Sequence, residues 1–379
     1  MENLNLNKSN WKKVKFGNVV IEPKETCKNI LAEGIEHIVG LEHIESGDIH
    51  LRNSLSTKES TTFTKIFRKG DVLFGRRRAY LKKAAQAQFD GICSGDIIVF
   101  RANKEKLLPA LLPFLVNNDK FFDYAVKHSA GGLSPRVKFK DLANYEFLLP
   151  PKEEQTKLAE LLWAMDEVIE REKEVLARFN NYLQTSLKAI FQLNTKRIPL
   201  IELCTEEPKY GANSPSTDYN EEVRYLRITD IGDFGQLNSD KVSASTHDDK
   251  YLLSYGDFLF ARTADPGRSY FYKESDGICT HAGYLIKFKL SLEKIIPEYL
   301  YYYTQTTEFK SWISKTTRKG TISNINAVEF SNLKIPFVDV EKQKSSIKDI
   351  NATYKILMEV SSKLVSSQLL QKSLINRIF

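Results

Sequence analysis

Gly70-Asp71-Val72-Leu73-Phe74-Gly75-Arg76 returns, 186 residues later, as Gly256-Asp257-Phe258-Leu259-Phe260-Ala261-Arg262, with five of the seven residues identical. Asp90-Gly91-Ile92-Cys93 returns intact at the same offset as Asp276-Gly277-Ile278-Cys279. Beyond Cys279 the second copy gains two residues and the offset becomes 188. Phe100 then matches Phe288, Pro109 matches Pro297, Gly132 matches Gly320, and Gln155 matches Gln343. Ile190-Phe191 matches the closing pair Ile378-Phe379. In a chain of 379 residues this period is half the molecule. Solenoid repeats run to roughly 20–50 residues, so the chain holds two copies of a whole domain, about 1–195 and 196–379.

Each half is of ordinary domain size and long enough to bury its own core. Apolar residues make up 42% of the chain, and no apolar run is long enough to span a bilayer. The first residues are polar and carry no signal-peptide core, so the expected location is the cytoplasm. Cys27, Cys93, Cys204 and Cys279 are far apart in sequence, which gives no zinc spacing and points to reduced, packed thiols. His37, His43 and His50 lie near one another but lack the companion ligands of a metal site. The net charge of +7 favours an acidic partner such as nucleic acid.

Within each half, two regimes follow one another. The segments 71–75 and 97–101, and their counterparts 257–261 and 284–288, are short apolar runs bounded by Gly and Asp, hence strands. Segments 107–124 and 295–313 carry apolar residues at helical spacing and lead into basic Gly-containing loops. After Pro150-Pro151 comes Lys-Glu-Glu-Gln and then a long stretch without Gly or Pro. Proline and early glutamates mark a helix start. Leu158, Leu162, Met165, Ile169, Glu172, Leu176, Phe179, Leu183, Ser186 and Ile190 alternate in steps of four and three, a heptad seam. A third column, Leu161, Val168, Val175, Tyr182 and Ala189, runs beside it and implies a further partner surface. The C-terminal helix starts near Asp339, and its more polar seam runs from Ile350 to Ile378. At 1.5 Å per residue each helix is roughly 55–60 Å long and needs a partner, the simplest being the other helix.

The expected fold is α+β: two repeated α/β domains, each followed by a long helix, with the helices pairing as an antiparallel coiled coil of pseudo-two-fold symmetry. The expected divisions are 1–150, 151–195, 196–337 and 338–379. Such a chain imitates a two-fold dimer, whose geometry suits two separated half-sites on DNA.

Catalytic signatures are missing. Gly70 and Gly75 have phosphate-loop spacing, but Arg-Arg follows where Lys-Ser/Thr is required. Gly-x-Gly-x-x-Gly, His-Glu-x-x-His and Gly-x-Ser-x-Gly do not occur. Pro150-Pro151 lacks the Asp/Asn-Pro-Pro-Tyr/Phe context of amino-methyltransferases. Basic segments stand out instead. Arg76, Arg77, Arg78, Lys82 and Lys83, with Tyr80 among them, follow the first motif. Arg262, Arg268, Tyr270 and Lys273 follow the second. Arg136 and Lys138 form another patch, with Arg318 and Lys319 near the same place in the second copy. A shared scaffold with different side chains in one loop is what two distinct DNA targets require. Arginine contacts guanine bidentately, and lysine mostly meets phosphate.

These features together resemble the specificity (S) subunit of type I restriction-modification systems. The resemblance rests on Gly-Asp-x-Leu-Phe-x-Arg, Asp-Gly-Ile-Cys, Gly131-Gly132-Leu133-Ser134, the Leu-Pro-Pro-x-x-Glu-Gln helix entry and the long helix after each domain. The second copy departs at its helix entry, where Ile335-Pro336-Phe337 stands in place of Pro-Pro. The resemblance covers essentially the whole chain. It implies target-recognition domains at 1–150 and 196–337, each reading half of a split sequence in double-stranded DNA. It implies helices that set the spacer and recruit two modification (methyltransferase) subunits and motor-nuclease restriction subunits. S-adenosylmethionine, ATP and magnesium then belong to those partners, and this chain is a non-catalytic, cofactor-free recognition subunit without membrane association. Leu161, Val168, Val175 and Tyr182 become a docking surface for a modification subunit. An orphan or decoy specificity protein, and the recognition subunit of a related methyltransferase-nuclease system, are the alternatives. More distant ones are a fused enzyme, tested by S-adenosylmethionine binding, and a coiled-coil scaffold, tested by salt-dependent duplex binding.

Overall fold

A computed structural model describes residues 7–27, 33–56, 61–192, 196–317 and 324–379. The chain forms two compact units, one of Met1–Arg171 with Lys363–Phe379 and one of Glu172–Ser362.

The first unit contains β1 (Lys12–Lys15), β2 (Val20–Ile21), β3 (His37–Val39), β4 (Leu55–Ser56), β5 (Lys65–Phe67), β6 (Val72–Gly75), β7 (Ala84–Gln86), β8 (Gly91–Cys93), β9 (Ile97–Ala102) and β10 (Glu146–Leu149). Its helices are α1 (Leu112–Val116), α2 (Asp119–Lys127), α3 (Phe139–Leu142) and the start of α4 (Lys152–Gln192). One sheet runs β2-β9-β6-β7, another β4-β3-β8-β5, and β1 pairs with β10. Successive side chains of a strand point to opposite faces. On β6, Val72 and Phe74 therefore enter the core of Phe16, Phe100 and Phe121, while Leu73 enters that of Val39, Phe67 and Cys93. Both faces of β6 are covered, which is why the motif reads as an unbroken apolar run. Each fully buried phenylalanine contributes roughly 1.5–3 kcal/mol.

The second unit repeats this plan. It contains β11 (Arg197–Pro199), β12 (Lys209–Tyr210), β13 (Ser216–Asp218), β14 (Arg224–Leu226), β15 (Val242–Ala244), β16 (Asp257–Ala261), β17 (Ser269–Phe271), β18 (Cys279–His281), β19 (Leu285–Lys289) and β20 (Lys334–Pro336). Its helices are α5 (Pro297–Thr304), α6 (Thr307–Thr316), α7 (Ala327–Ser331) and the start of α8 (Val340–Ile378). The sheet β12-β19-β16-β17 matches β2-β9-β6-β7 strand for strand, and β11-β20 matches β1-β10. The parallel pair β14-β18 matches β3-β8. Phe258 and Phe260 of β16 face one core, and Leu259 and Ala261 face another, as on β6.

Segments 107–124 and 295–313 each form two helices rather than one. Asn118 accepts from the Phe121 N–H and starts α2, and Thr306 accepts from the Phe309 N–H and starts α6. A side-chain cap in mid-segment ends one helix and begins the next.

The long helices carry their seams inward. In the first unit Leu158 and Leu162 of α4 share a core with Leu374, Ile375 and Ile378 of α8. In the second unit Leu183, Leu187 and Phe191 of α4 share one with Ile347, Ile350 and Leu357 of α8. The start of α4 thus meets the end of α8, and the end of α4 meets the start of α8, so the two run antiparallel. Near the end of α4 the buried positions are Leu187 and Phe191 rather than the expected Ser186 and Ile190. Asp339 accepts from the Lys342 N–H at the entry to α8. All four cysteines are free thiols. No helix among the described residues is long and apolar enough to cross a membrane.

Candidate nucleic-acid interface

The repeated Gly-Asp motif supports a hairpin. Gly70 and Gly256 share a φ of 91°, a left-handed turn that glycine adopts without penalty. Asp71 is buried, accepts from the Arg68 N–H at 2.8 Å and takes two hydrogen bonds from Arg101 at 2.8 Å. Asp257 likewise accepts from the Ser254 N–H at 2.8 Å, with Lys289 at 3.4 Å and Lys287 at 3.8 Å. These carboxylates pin the turns that lead into β6 and β16. The loops that follow those strands, 76–83 and 262–268, are then presented from a rigid base.

Most cations of the first loop are held by the protein. Arg76 donates to the Val137 carbonyl, and Lys83 donates to the Leu41 carbonyl. Lys82 is paired with Asp119 at 2.6 Å. Arg77 reaches Asp96 and Ser134, and Arg136 pairs with the other oxygen of Asp96 at 2.7 Å. Arg136, and to a lesser extent Arg77, hold the Asp96 carboxyl below the usual carboxylate range. Arg78 and Tyr80 point outward. Lys138 is exposed at the N-cap of α3 and lines a shallow groove with Arg76, Lys140, Lys24 and Glu22.

The second loop keeps the frame and changes the contents. The Arg76 N–H donates to the Asp96 carbonyl, and the Arg262 N–H donates to the Tyr284 carbonyl. The carbonyls of Arg76 and Arg262 accept from Val137 and Ile325. Arg262 stacks over Tyr210, and its Nε donates to Asn324. Arg268 bonds Asp265 and the Ile231 carbonyl, much as Lys83 bonds Leu41.

One expected contact is corrected here. Tyr270 is fully buried on β17, opposite Leu259, where Ala85 stands opposite Leu73 in the first unit. Its hydroxyl donates to Asp276 at 2.6 Å, so the ring is a core element and is not available to a base. Lys273 lies beyond β17, packs over Phe271, and donates to the Gly235 carbonyl; burial pulls its pKa down. Tyr270 thus takes the strand position of Ala85, and Lys273 lies past the end of that strand. Arg318 and Lys319 lie outside the described residues.

Two side chains at these loops are exposed although no charge in the sequence points to them. Tyr284 is 62% exposed at the place held by Asp96 in the first unit. Leu133 is 98% exposed in the Gly131–Pro135 loop.

On α4, Leu161, Val168, Val175 and Tyr182 all face solvent. Their counterparts on α8 are Asp349, Ile356, Lys363 and Leu370, so the apolar column is continuous on α4 alone. On another face of α4, Asp166 meets His50 at 2.7 Å, and Arg52 bridges Asp48 and Glu170 at 2.6 and 2.8 Å. His50, Asp166 and Glu170 bring ligand atoms within 4.8 Å of one another, but Asp166 is already bonded to His50 and Glu170 to Arg52. This clamp ties the first domain to α4. At the corresponding place in the second unit, Tyr354 packs with Phe234, Tyr301 and Tyr302.

The family described as the type I restriction modification DNA specificity domain matches residues 8–181 and again residues 182–363. The chain belongs to this family. It is 31% identical over 130 residues to the type I restriction enzyme EcoDI specificity subunit of Escherichia coli, covering 33% of this chain and 29% of that protein. It is 24% identical over 314 residues to the putative type I restriction enzyme MjaX specificity subunit of Methanocaldococcus jannaschii, covering 75% of this chain and 71% of that protein. The chain thus spans under a third of the length of the first relative. Among solved structures it is similar to the S subunit of the type I restriction-modification system from M. genitalium, with a TM-score of 0.63, 14% identity, and 100% and 98% of the two chains covered. It is also similar to a chain solved to explain complex assembly and conformational transition of a type I system, with a TM-score of 0.54, 21% identity, and 98% and 96% covered. At these identities the likeness to the specificity-subunit structures is one of fold.

Proposed function

We propose that this specificity-family member is the non-catalytic DNA-recognition subunit of a type I restriction-modification complex and reads a bipartite, asymmetric target. One observation carries the reading. Two copies of a DNA specificity domain present equivalent loops from matching hairpins, and the side chains differ: Arg77, Arg78 and Tyr80 in one, Thr263, Ala264 and Pro266 in the other. Equal frames with unequal contents are what two different half-sites need. The recognition domains are 1–150 and 196–337, and the antiparallel helices set the spacer between the half-sites. The exposed column of α4 docks a modification subunit, two of which join, together with restriction subunits, in the cytoplasm. S-adenosylmethionine, ATP and magnesium belong to those partners, and this chain holds none of them.

The test is co-expression with the cognate modification subunit, followed by genome-wide mapping of N6-methyladenine. One split motif with a fixed spacer, dependent on this chain, is the expected result. A soluble, partner-bound chain that directs no methylation marks an orphan or decoy. Failure to bind the partner overturns the reading.

A further inference from the structure

The 76–83 loop carries five cations, and four of them are committed to the protein. Arg76 bonds the Val137 carbonyl, Arg77 bonds Asp96 and Ser134, Lys82 bonds Asp119, and Lys83 bonds the Leu41 carbonyl. Arg78 differs. It is exposed, and among the described residues its guanidinium has no hydrogen-bond or ion-pair partner. Its backbone is left-handed, with φ 54° and ψ 56°, a conformation disfavoured for arginine that Lys82 shares at the other end of the turn with φ 50°; exposure and the missing partner are what set Arg78 apart. The Arg78 N–H is fixed to the Pro135 carbonyl at 2.8 Å, and Arg77 bonds the neighbouring Ser134. The strained turn therefore aims one guanidinium outward beside the Gly131–Pro135 loop, whose Leu133 is 98% exposed. Tyr80, 53% exposed, follows on the same turn. Strain held by surrounding bonds is a marker of function.

A phosphate contact needs a positive charge but little orientation, whereas a base contact needs an aimed donor fork. Asp96 bonds both Arg77 and Arg136 and cancels one of their two charges, so these arginines are oriented by the protein and not left as free point charges. We infer that Arg78 is the base-reading side chain of the first unit, donating two N–H groups to O6 and N7 of one guanine, while the other four cations hold the loop. The residue in the same left-handed position of the second unit is Ala264, with φ 61°. It has no donor, so the second half-site is read at that position without an arginine contact. This assignment rests on the proposed role in DNA recognition and makes it specific.

The experiment uses the full chain assembled with its modification subunits. The methylated motif is mapped for the wild type, Arg78→Lys and Arg78→Asn. Asparagine tolerates the left-handed turn, and lysine keeps the charge but loses the fork. Both variants should relax one guanine position in one half-site, leaving the spacer and the other half-site unchanged. A duplex carrying 7-deazaguanine at that position should bind the wild type about 5- to 100-fold more weakly, with no such loss for Arg78→Asn. This binding comparison decides the case even if a variant no longer supports methylation. A wild-type motif without a G·C pair in either half-site overturns the assignment, as does Arg78→Lys retaining full discrimination. Equal sensitivity of wild type and Arg78→Asn to 7-deazaguanine overturns it too. A wild-type complex that methylates no split motif fails the specificity reading instead, and the two failures are thereby distinguished.

Discussion

Gln155 and Gln343, 188 residues apart, make the same three hydrogen bonds in the two units. Gln155 accepts from the Leu108 N–H at 2.7 Å and donates to the carbonyls of Lys106 and Pro150 at 3.1 and 3.0 Å. Gln343 accepts from the Ile296 N–H at 3.0 Å and donates to the carbonyls of Lys294 and Val338 at 2.7 and 2.8 Å. Both side chains are buried. Each glutamine therefore fastens the start of a long helix to the domain before it. The glutamine at each helix entry is a structural rivet.

Gln155→Ala or Gln343→Ala leaves a backbone N–H and two carbonyls without their partner. Each should cost about 2–3 kcal/mol in urea unfolding. Gln→Glu should cost more, because a carboxylate has no donor for the two carbonyls.

The clamp between the first domain and α4 should respond to pH. Hydrogen bonding to Asp166 raises the His50 pKa, against the opposing effect of burial. Because the folded pKa lies above the unfolded value, the stabilisation is fully present below about pH 6.5. It fades as the pH rises through the raised folded value. Urea midpoints measured from pH 6 to 8.5 should fall for the wild type, and His50→Gln should remove that component of the slope. The second unit has an aromatic cluster in this place and should contribute no matching response.

Burial pushes the thiols of Cys93 and Cys279 up to about 12. Both should resist a thiol-specific reagent at pH 8 in the native protein and react once it is unfolded. Rapid native labelling, located by peptide mass mapping, would contradict the packing described.

Tyr270→Ala removes a fully buried ring and should destabilise the second unit by about 3–5 kcal/mol. Tyr270→Phe tests the hydrogen bond to Asp276 alone. If Tyr270 met a base, duplex affinity would fall while the unfolding midpoint stayed put; the opposite pattern is expected.

Val168→Asp with Val175→Asp places two charges on the exposed column of α4. Stability should change by no more than about 0.5 kcal/mol per site. Co-purification with the modification subunit should be lost. A stable protein that still carries its partner would refute docking on this face.

The period of the apolar residues made the seams of α4 legible, because a helix that buries one stripe must repeat it in sequence. The apolar run of β6 was legible for a similar reason, since both its faces are covered. Less was legible at the candidate interface. Charge alone does not say whether an arginine is held by the protein or left outward. Arg77 and Arg78 are neighbours with opposite fates, decided by Asp96 and Ser134, which lie far away in the chain. The division of 107–124 into α1 and α2 rests on one side chain, Asn118, turning back onto the backbone.

The sequence by itself determined the duplication, the alternation of domain and long helix, and the inward seams. These are written in local order and period, which survive without knowledge of distant contacts. Only the tertiary structure decided that Tyr270 belongs to the core and that Arg78 points outward while its neighbours are bound. It also decided that one helix junction is ionic and its counterpart aromatic. Those outcomes depend on which residues meet across the fold, and a one-dimensional spacing does not encode which charge finds which partner.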